Sequence, residues 1–416
     1  MPRSAEVRRA DGRRRRDDGG RIVRISLGVA ASGVGRLGGS GEWRLYGADG
    51  RAVLARGEGS DAWTVERQGA RLRVLRPDGG ATAFRDGPLV ARPIGAGAMV
   101  TWNGRRYRGE LALFADSTRN GVLAVNRLAV EDYLRGVVPL EIGPRVAGEH
   151  AAIEAQAVAA RSYTYVRIGG IGPGAMPGAR PYDMVSTVDD QVYGGADAEK
   201  PLTDAAVVAT AGQVIAFAGR VVNAPYHSTC GGSTAEVDEV WWRQPPEPYL
   251  RRVSDRIPGS DDRYYCDPSP RFRWTRSYDA STLATVLDRY LRQYAAIPAG
   301  GEIGAVRFVA ATGTTPSGRA AGVRIETDRG SYVVRGNDAR FVFRSSGGEI
   351  LNSTYFTLQP TVGRDGRLSQ LTISGSGYGH GIGMCQWGAI GRARAGQDYR
   401  TILQTYYPGT TLAQAD

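Results

Sequence analysis

Hydrophobic residues recur along this chain at two periods, and the change from one to the other marks its elements. Between residues 21 and 105 the period is two and the runs are short: 22–27, 42–46 and 71–75, parted by turn residues such as Asp49-Gly50 and Asp78-Gly79-Gly80. Short alternating runs bounded by turns predict strands, here a small all-β unit. The clearest hairpin covers 107–128. Leu111, Leu113 and Ala115 alternate with Ala112 and Phe114, Asn120-Gly121 offers the positive-φ positions of a tight turn, and Val122 to Val125 return. The period then becomes helical. Ala151, Ala155, Val158, Ser162 and Val166 follow at steps of three and four, predicting a helix whose small side chains suit close packing on a sheet, with Gly169-Gly170 as its stop.

Beyond it, 169–181 is a Gly/Pro-rich loop, 203–210 a second helix, and 213–217 with 220–223 a hairpin through Gly219. Residues 244–274 are Pro- and Asp-rich with little periodicity. A surface helix is predicted over 281–294, strands over 305–310, 322–327, 332–335 and 369–374, and helices over 384–395 and 399–406. The expected class is α+β, β-rich with a few helices on strands. The expected organisation is a basic disordered tail (1–20), a β-rich subdomain (21–105), a core (106–243), an insertion with a β-rich subdomain (244–374) and a closing segment (375–416). No internal repeat is visible.

Between the hairpin and the long helix lies Val138-Pro139-Leu140-Glu141, followed by the breaker pair Gly143-Pro144. Pro139 predicts extended chain before Glu141 and a loop after it. A carboxylate at such a loop mouth can be held at fixed depth, as a general acid requires. The plainer alternative is a carboxylate that complements a helix start.

Composition narrows the classes. At 416 residues, 42% hydrophobic and 23% charged, the chain is globular and long enough for more than one core. No apolar run approaches about 18 residues, so no transmembrane segment is expected. The net charge of +11 suits an acidic polymer such as a polyanionic cell wall or nucleic acid. However, the first 24 residues hold nine Arg and four acids, nearly half the excess, and Lys200 is the only lysine. With no nucleic-acid motif present, specific nucleic-acid binding is not expected. The segment 22–31, broken by Arg24 and Gly28, reads as a strand and not as a signal segment.

Three further clusters could carry chemistry: Gln191-Val192-Tyr193-Gly194-Gly195, the stretch from Tyr226 to Thr234 (YHSTCGGST), and the stretch from Gly377 to Ala389 (GYGHGIGMCQWGA). Gly-rich loops let backbone approach a ligand closely, and the last one precedes a helix. Cys385 with His380, or Cys230 with His227, could pair a thiol nucleophile with a base. His227, Cys230 and Cys266 could instead bind zinc, or Cys230 and Cys266 could form a disulfide, leaving Cys385 over. These alternatives stand open.

Taken together, VEDYLRGVVPLEIG, AAIEAQAVAARSYTY, DDQVYGG, NAPYHSTCGGSTAEVDEVW, PYLRRVSD and GHGIGMCQWGA, in that order, resemble the SpoIID/LytB family over nearly the whole chain. The resemblance implies a two-subdomain architecture with a central cleft and a peptidoglycan-acting protein located outside the cytoplasm. Well-studied members are lytic transglycosylases that cut peptide-stripped glycan strands, and their catalytic glutamate in Pro-x-Glu falls here on Glu141. Val137, Val138, Leu140 and Ile142 would supply the apolar pocket that keeps such an acid protonated. Supporting contacts to sugar are expected from Arg161, Gln191, Tyr193, His227, Ser228, His380 and Gln386, with Trp241 or Trp387 stacking on a pyranose or packing in the core. LytB-type members look like amidase modifiers, so a cell-wall amidase is the alternative partner. The family zinc site does not carry over, because 182–190 contains no His or Cys. No metal ligand is therefore assigned, and no cofactor is expected.

Overall fold

The computed structural model describes residues 20–59, 62–169, 180–297 and 301–415. The basic tail and most of the Gly/Pro loop lie outside them. The fold is α+β: among the described residues strand pairing is almost wholly antiparallel, and helices accompany several sheets. The helices are α1 (Val130–Ile142), α2 (His150–Ile168), α3 (Pro201–Ala209), α4 (Val237–Val240), α5 (Ala280–Tyr290), α6 (Asp338–Val342), α7 (Gln386–Arg394) and α8 (Tyr399–Tyr406). Among the described residues, none is long and apolar enough to cross a membrane.

Two compact units divide the chain, one of residues 1–137 with 176–198 and one of 138–175 with 199–416. The first unit is built on a seven-stranded and a six-stranded sheet. Its expected hairpin is Glu110–Asp116 with Gly121–Ala129. Only Asn120 takes positive φ (50°), in a four-residue turn, while Gly121 already belongs to the strand. There its lack of a side chain lets the Ala30 carbonyl approach. Trp43 and Trp63 cross edge to face at 4.7 Å in the core.

In the second unit α2 packs against α3, α7, α8 and the strand Gln213–Phe217. Fourteen of its 19 residues are buried, so its small residues serve every side and not one face. Ser162 ties helix to strand: its Oγ donates to the Val158 carbonyl and accepts from the Ile215 amide, both at 2.8 Å. A separate hydrophobic core spans 278–373, with α5 and α6 against the sheets Arg273–Asp279/Leu368–Ser376/Phe356–Val362 and Val306–Ala311/Gly322–Thr327/Ser331–Arg335. The strands Arg273–Asp279 and Phe356–Val362 were not expected from the sequence, since their polar residues hide the alternation.

One expectation about the Pro-Leu-Glu stretch is corrected. Pro139 does not impose an extended segment before Glu141, because it lies inside α1. Val130, Tyr133, Leu134, Val137 and Val138 repeat at helical spacing and are all buried, and this stripe outweighs the amide that Pro139 lacks near the helix end. Glu131 and Asp132 in the first turn complement the helix dipole. Within the first unit Gly136 is a close-approach point: a Cβ there would stand 2.6 Å from the Tyr193 ring and 2.8 Å from the Gly195 carbonyl. Gly136→Ala should therefore cost about 1–3 kcal/mol from overpacking. The check is its thermal midpoint, where a melt coincident with wild type would contradict the close approach.

Candidate functional site

Glu141 occupies the last turn of α1, half-buried, and Gly143 at φ 74° turns the chain away after it. A helix end leaves carbonyls without intrahelical partners. One of these, the Glu141 carbonyl, accepts from Gln386 Nε2 at 3.0 Å, and the same amide donates to Gln156 Oε1 at 3.1 Å. Gln386 is the first residue of α7, and Gln156 lies mid-way along buried α2. Beside them, the Arg145 guanidinium sits 5.2 Å from the centre of the half-buried Trp387 ring. Arg145 is held by buried Glu149 at 3.6 Å, which also takes Arg394 at 2.5 Å.

The Gly-rich stretch that precedes α7 lies flat against 225–235. Tyr226 and His227 pair in parallel with Met384 and Cys385, and Thr229 bridges Tyr378. Gly379 (φ 113°) permits this: a Cβ there would meet the His227 Cβ at 2.8 Å. Both histidines pin the two stretches together. His380 Nδ1 accepts from the Ile382 amide at 3.1 Å, so its Nε2–H donates to the Tyr226 carbonyl at 2.8 Å. His227 Nδ1 faces the Ile382 carbonyl at 3.2 Å, and its buried Nε2 meets no partner among the described residues. Burial, aided by Arg340, pushes His380 down to about 3. Burial, with His380 and Arg319 nearby, likewise pushes His227 well below the ordinary range.

The thiol–histidine pairs considered above do not form. Cys230 Sγ faces Cys266 Sγ at 3.4 Å and Asp255 Oδ2 at 3.5 Å, and all three cysteines are buried free thiols. Burial raises Cys230 and Cys385 well above the usual thiol range, which disfavours a nucleophilic thiolate. His227 is not part of the set of side chains grouped around these thiols.

The other expected contacts fall in varied settings. Arg161 is fully buried, and its guanidinium donates to the Val207 and Gln213 carbonyls, joining α2 to the end of α3 and the following strand. Gln191 and Tyr193 belong to the first unit. Gln191 accepts from Tyr133 Oη at 3.1 Å, and Tyr193 Oη donates to Asn126 at 2.8 Å. Ser228 is half-buried, and its carbonyl accepts from the Trp387 amide at 3.0 Å. Trp241 packs at 5.1 Å from His380 and lines a groove of about 520 Å³ with Phe217, Val222 and Tyr249. Arg145, Asp255 and Arg319 were not singled out from sequence. Asp255 closes the quoted PYLRRVSD stretch, the one signal that marked it.

Comparison with known proteins places the chain. Residues 118–217 match the SpoIID model, described as stage II sporulation protein, and residues 260–383 match a domain of unknown function (DUF8618). The chain is 30% identical over 336 residues to an amidase enhancer of Bacillus subtilis, covering 75% of this chain and 45% of that protein. It is 28% identical over 305 residues to stage II sporulation protein D of the same organism, covering 70% and 77%. An uncharacterized protein of Brachyspira hyodysenteriae is 29% identical over 315 residues, covering 75% and 73%. The SpoIID match and these relatives support the SpoIID/LytB family that the motifs resemble. It spans less than half the length of the amidase enhancer.

The buried histidines fix a pH dependence. Their folded pKa values lie below the unfolded value of about 6.5, so the unfolded chain binds the extra protons. The stability they allow is full above that value and is lost as pH falls toward the folded pKa, about 3 for His380. A His227→Gln/His380→Gln variant should show a shallower fall in thermal midpoint between pH 7 and pH 5 than wild type. Equal slopes would contradict the buried neutral state.

Proposed function

We propose that the chain acts on peptidoglycan outside the cytoplasm, as a lytic transglycosylase that cuts the MurNAc–GlcNAc bond of peptide-stripped glycan strands. The observation that carries this reading is the hydrogen bond from Gln386 to the Glu141 carbonyl. It joins the Pro-Leu-Glu and Gly-His-Gly…Gln-Trp motifs, 245 residues apart, at one half-buried carboxyl group. The SpoIID match and the sporulation relative support a cell-wall role at the coarser level.

In this mechanism Glu141 donates its proton to the glycosidic oxygen as the bond to MurNAc C1 breaks. The resulting carboxylate takes the proton of the MurNAc C6 hydroxyl as that oxygen bonds to C1, closing a 1,6-anhydro ring. No water is consumed and the acid is regenerated, so one carboxyl group serves where hydrolysis ordinarily uses two. Negative charge is disfavoured at a helix C-terminus, a setting that suits an acid required to carry its proton. Trp387, backed by Arg145, offers a ring for a pyranose face, while Gln386 positions the helix end and does not touch the reacting atoms.

A second reading is favoured by the relative named amidase enhancer: a glycan-binding activator of a cell-wall amidase, with no bond cleavage of its own. Mass spectrometry of products from peptide-free glycan strands separates the two. Wild type should yield anhydro-MurNAc ends, and Glu141→Gln should lower the rate by at least about 10²-fold, the scale of lost general acid catalysis. Hydrated reducing ends would replace the transglycosylase with a hydrolase. No cleavage by wild type, with retained binding and faster amidase turnover, would establish the activator.

A further inference from the structure

Deep in the second unit, four side chains from separate stretches converge: Cys230, Asp255, Cys266 and Cys385. All are buried, and their ligand atoms lie within 4.8 Å of one another. We propose that they form a closed, structural zinc site, a donor set distinct from the His227–Cys230–Cys266 group considered from sequence. A tetrahedral zinc with bonds of about 2.3 Å to sulfur places its sulfurs about 3.8 Å apart. The Cys230–Cys266 separation is 3.4 Å and the Cys230–Asp255 separation 3.5 Å, so one ion can meet them with small adjustments. An iron–sulfur cluster would not fit, because its several iron atoms would hold the cysteines farther apart. Three soft thiolates and a carboxylate select zinc over calcium or magnesium.

The surroundings are built for an anionic donor set. Cys385 caps α7, and its sulfur accepts two backbone amides, Cys230 at 3.1 Å and Gly388 at 3.2 Å. Asp255 is oriented from outside: Oδ1 takes the Tyr406 hydroxyl at 2.6 Å and Arg392 at 3.2 Å, while Oδ2 turns toward Cys230. Such outer contacts ordinarily orient metal ligands. Arg319 reaches in from the 312–321 loop, fully buried, with Nη2 on the Cys230 and Ser233 carbonyls. Its Nε and Nη1 find no hydrogen-bond partner among the described residues. A buried guanidinium is costly beside neutral thiols and is offset beside a zinc–thiolate centre of net negative charge. With every ligand buried, there is no open position for substrate. The ion would act on the fold, fixing the N-terminus of α7 one residue before Gln386.

The test uses the full chain purified without chelator and its metal content by plasma mass spectrometry, followed by cobalt substitution. The expected result is about one zinc per chain and a cobalt charge-transfer band of three-thiolate intensity. Cys385→Ala should reduce that intensity to the two-thiolate level. Tyr406→Phe, which keeps all four ligands and removes only an outer contact, should weaken zinc binding about 10–100-fold. His227→Ala should keep the metal. The site is overturned if reduced wild-type chain takes up no zinc, or if metal uptake is indifferent to Cys385→Ala and Tyr406→Phe. It is equally overturned if protein isolated without reductant is metal-free and carries a Cys230–Cys266 disulfide.

Discussion

The amide of Gln386 resolves a difficulty that every helix end creates. When α1 stops at Ile142 its last carbonyls lose their partners, and a buried carbonyl left unpaired costs about 1–3 kcal/mol. One nitrogen answers the Glu141 carbonyl and, through Gln156, anchors it to the most buried helix of the unit. The backbone of Glu141 is thereby fixed while its side chain stays half-exposed. A carboxyl group can act repeatedly on a polymer only if its main chain does not drift, and side-chain contacts alone would not secure that.

That amide is placed in turn by the Gly-rich stretch before it. Alternate glycines let 377–383 press against 225–231, and two histidines cross-brace the pair with hydrogen bonds to carbonyls. The histidines thus spend their bonded nitrogens on backbone. A motif with His, Cys and Gly invites a catalytic reading, yet the same residues meet the needs of two strands packed without room for side chains between them.

Much of the fold was legible because period and turn chemistry agreed. Arg71–Leu75, Gly322–Thr327 and Tyr399–Tyr406 appear where the alternation or the helical spacing put them. The setting of Glu141 was misread. Proline usually argues for extended chain before it, and one proline late in a helix costs less than an apolar stripe of five buried positions returns. The gathering of Cys230, Asp255, Cys266 and Cys385 could not be read at all. Their spacings, 25, 11 and 119 residues, follow no ligand motif, and only the tertiary fold closes them.

The charge of the chain carries a related lesson. A surplus of arginine suggests a polyanionic partner, but Arg161, Arg319, Arg340 and Arg392 are buried; the first two donate chiefly to backbone carbonyls, and the last two divide their bonds between backbone and side chains. An arginine can satisfy several carbonyls at once with its planar fork, which suits a fold with many short strands and irregular connections. In a chain with one lysine, arginine serves both the surface and the interior, so net charge overstates the basic surface a partner would meet. Recognition is better sought where exposed chemistry is held rigidly, and on that criterion the end of α1 with Trp387 and Arg145 outranks any patch of charge.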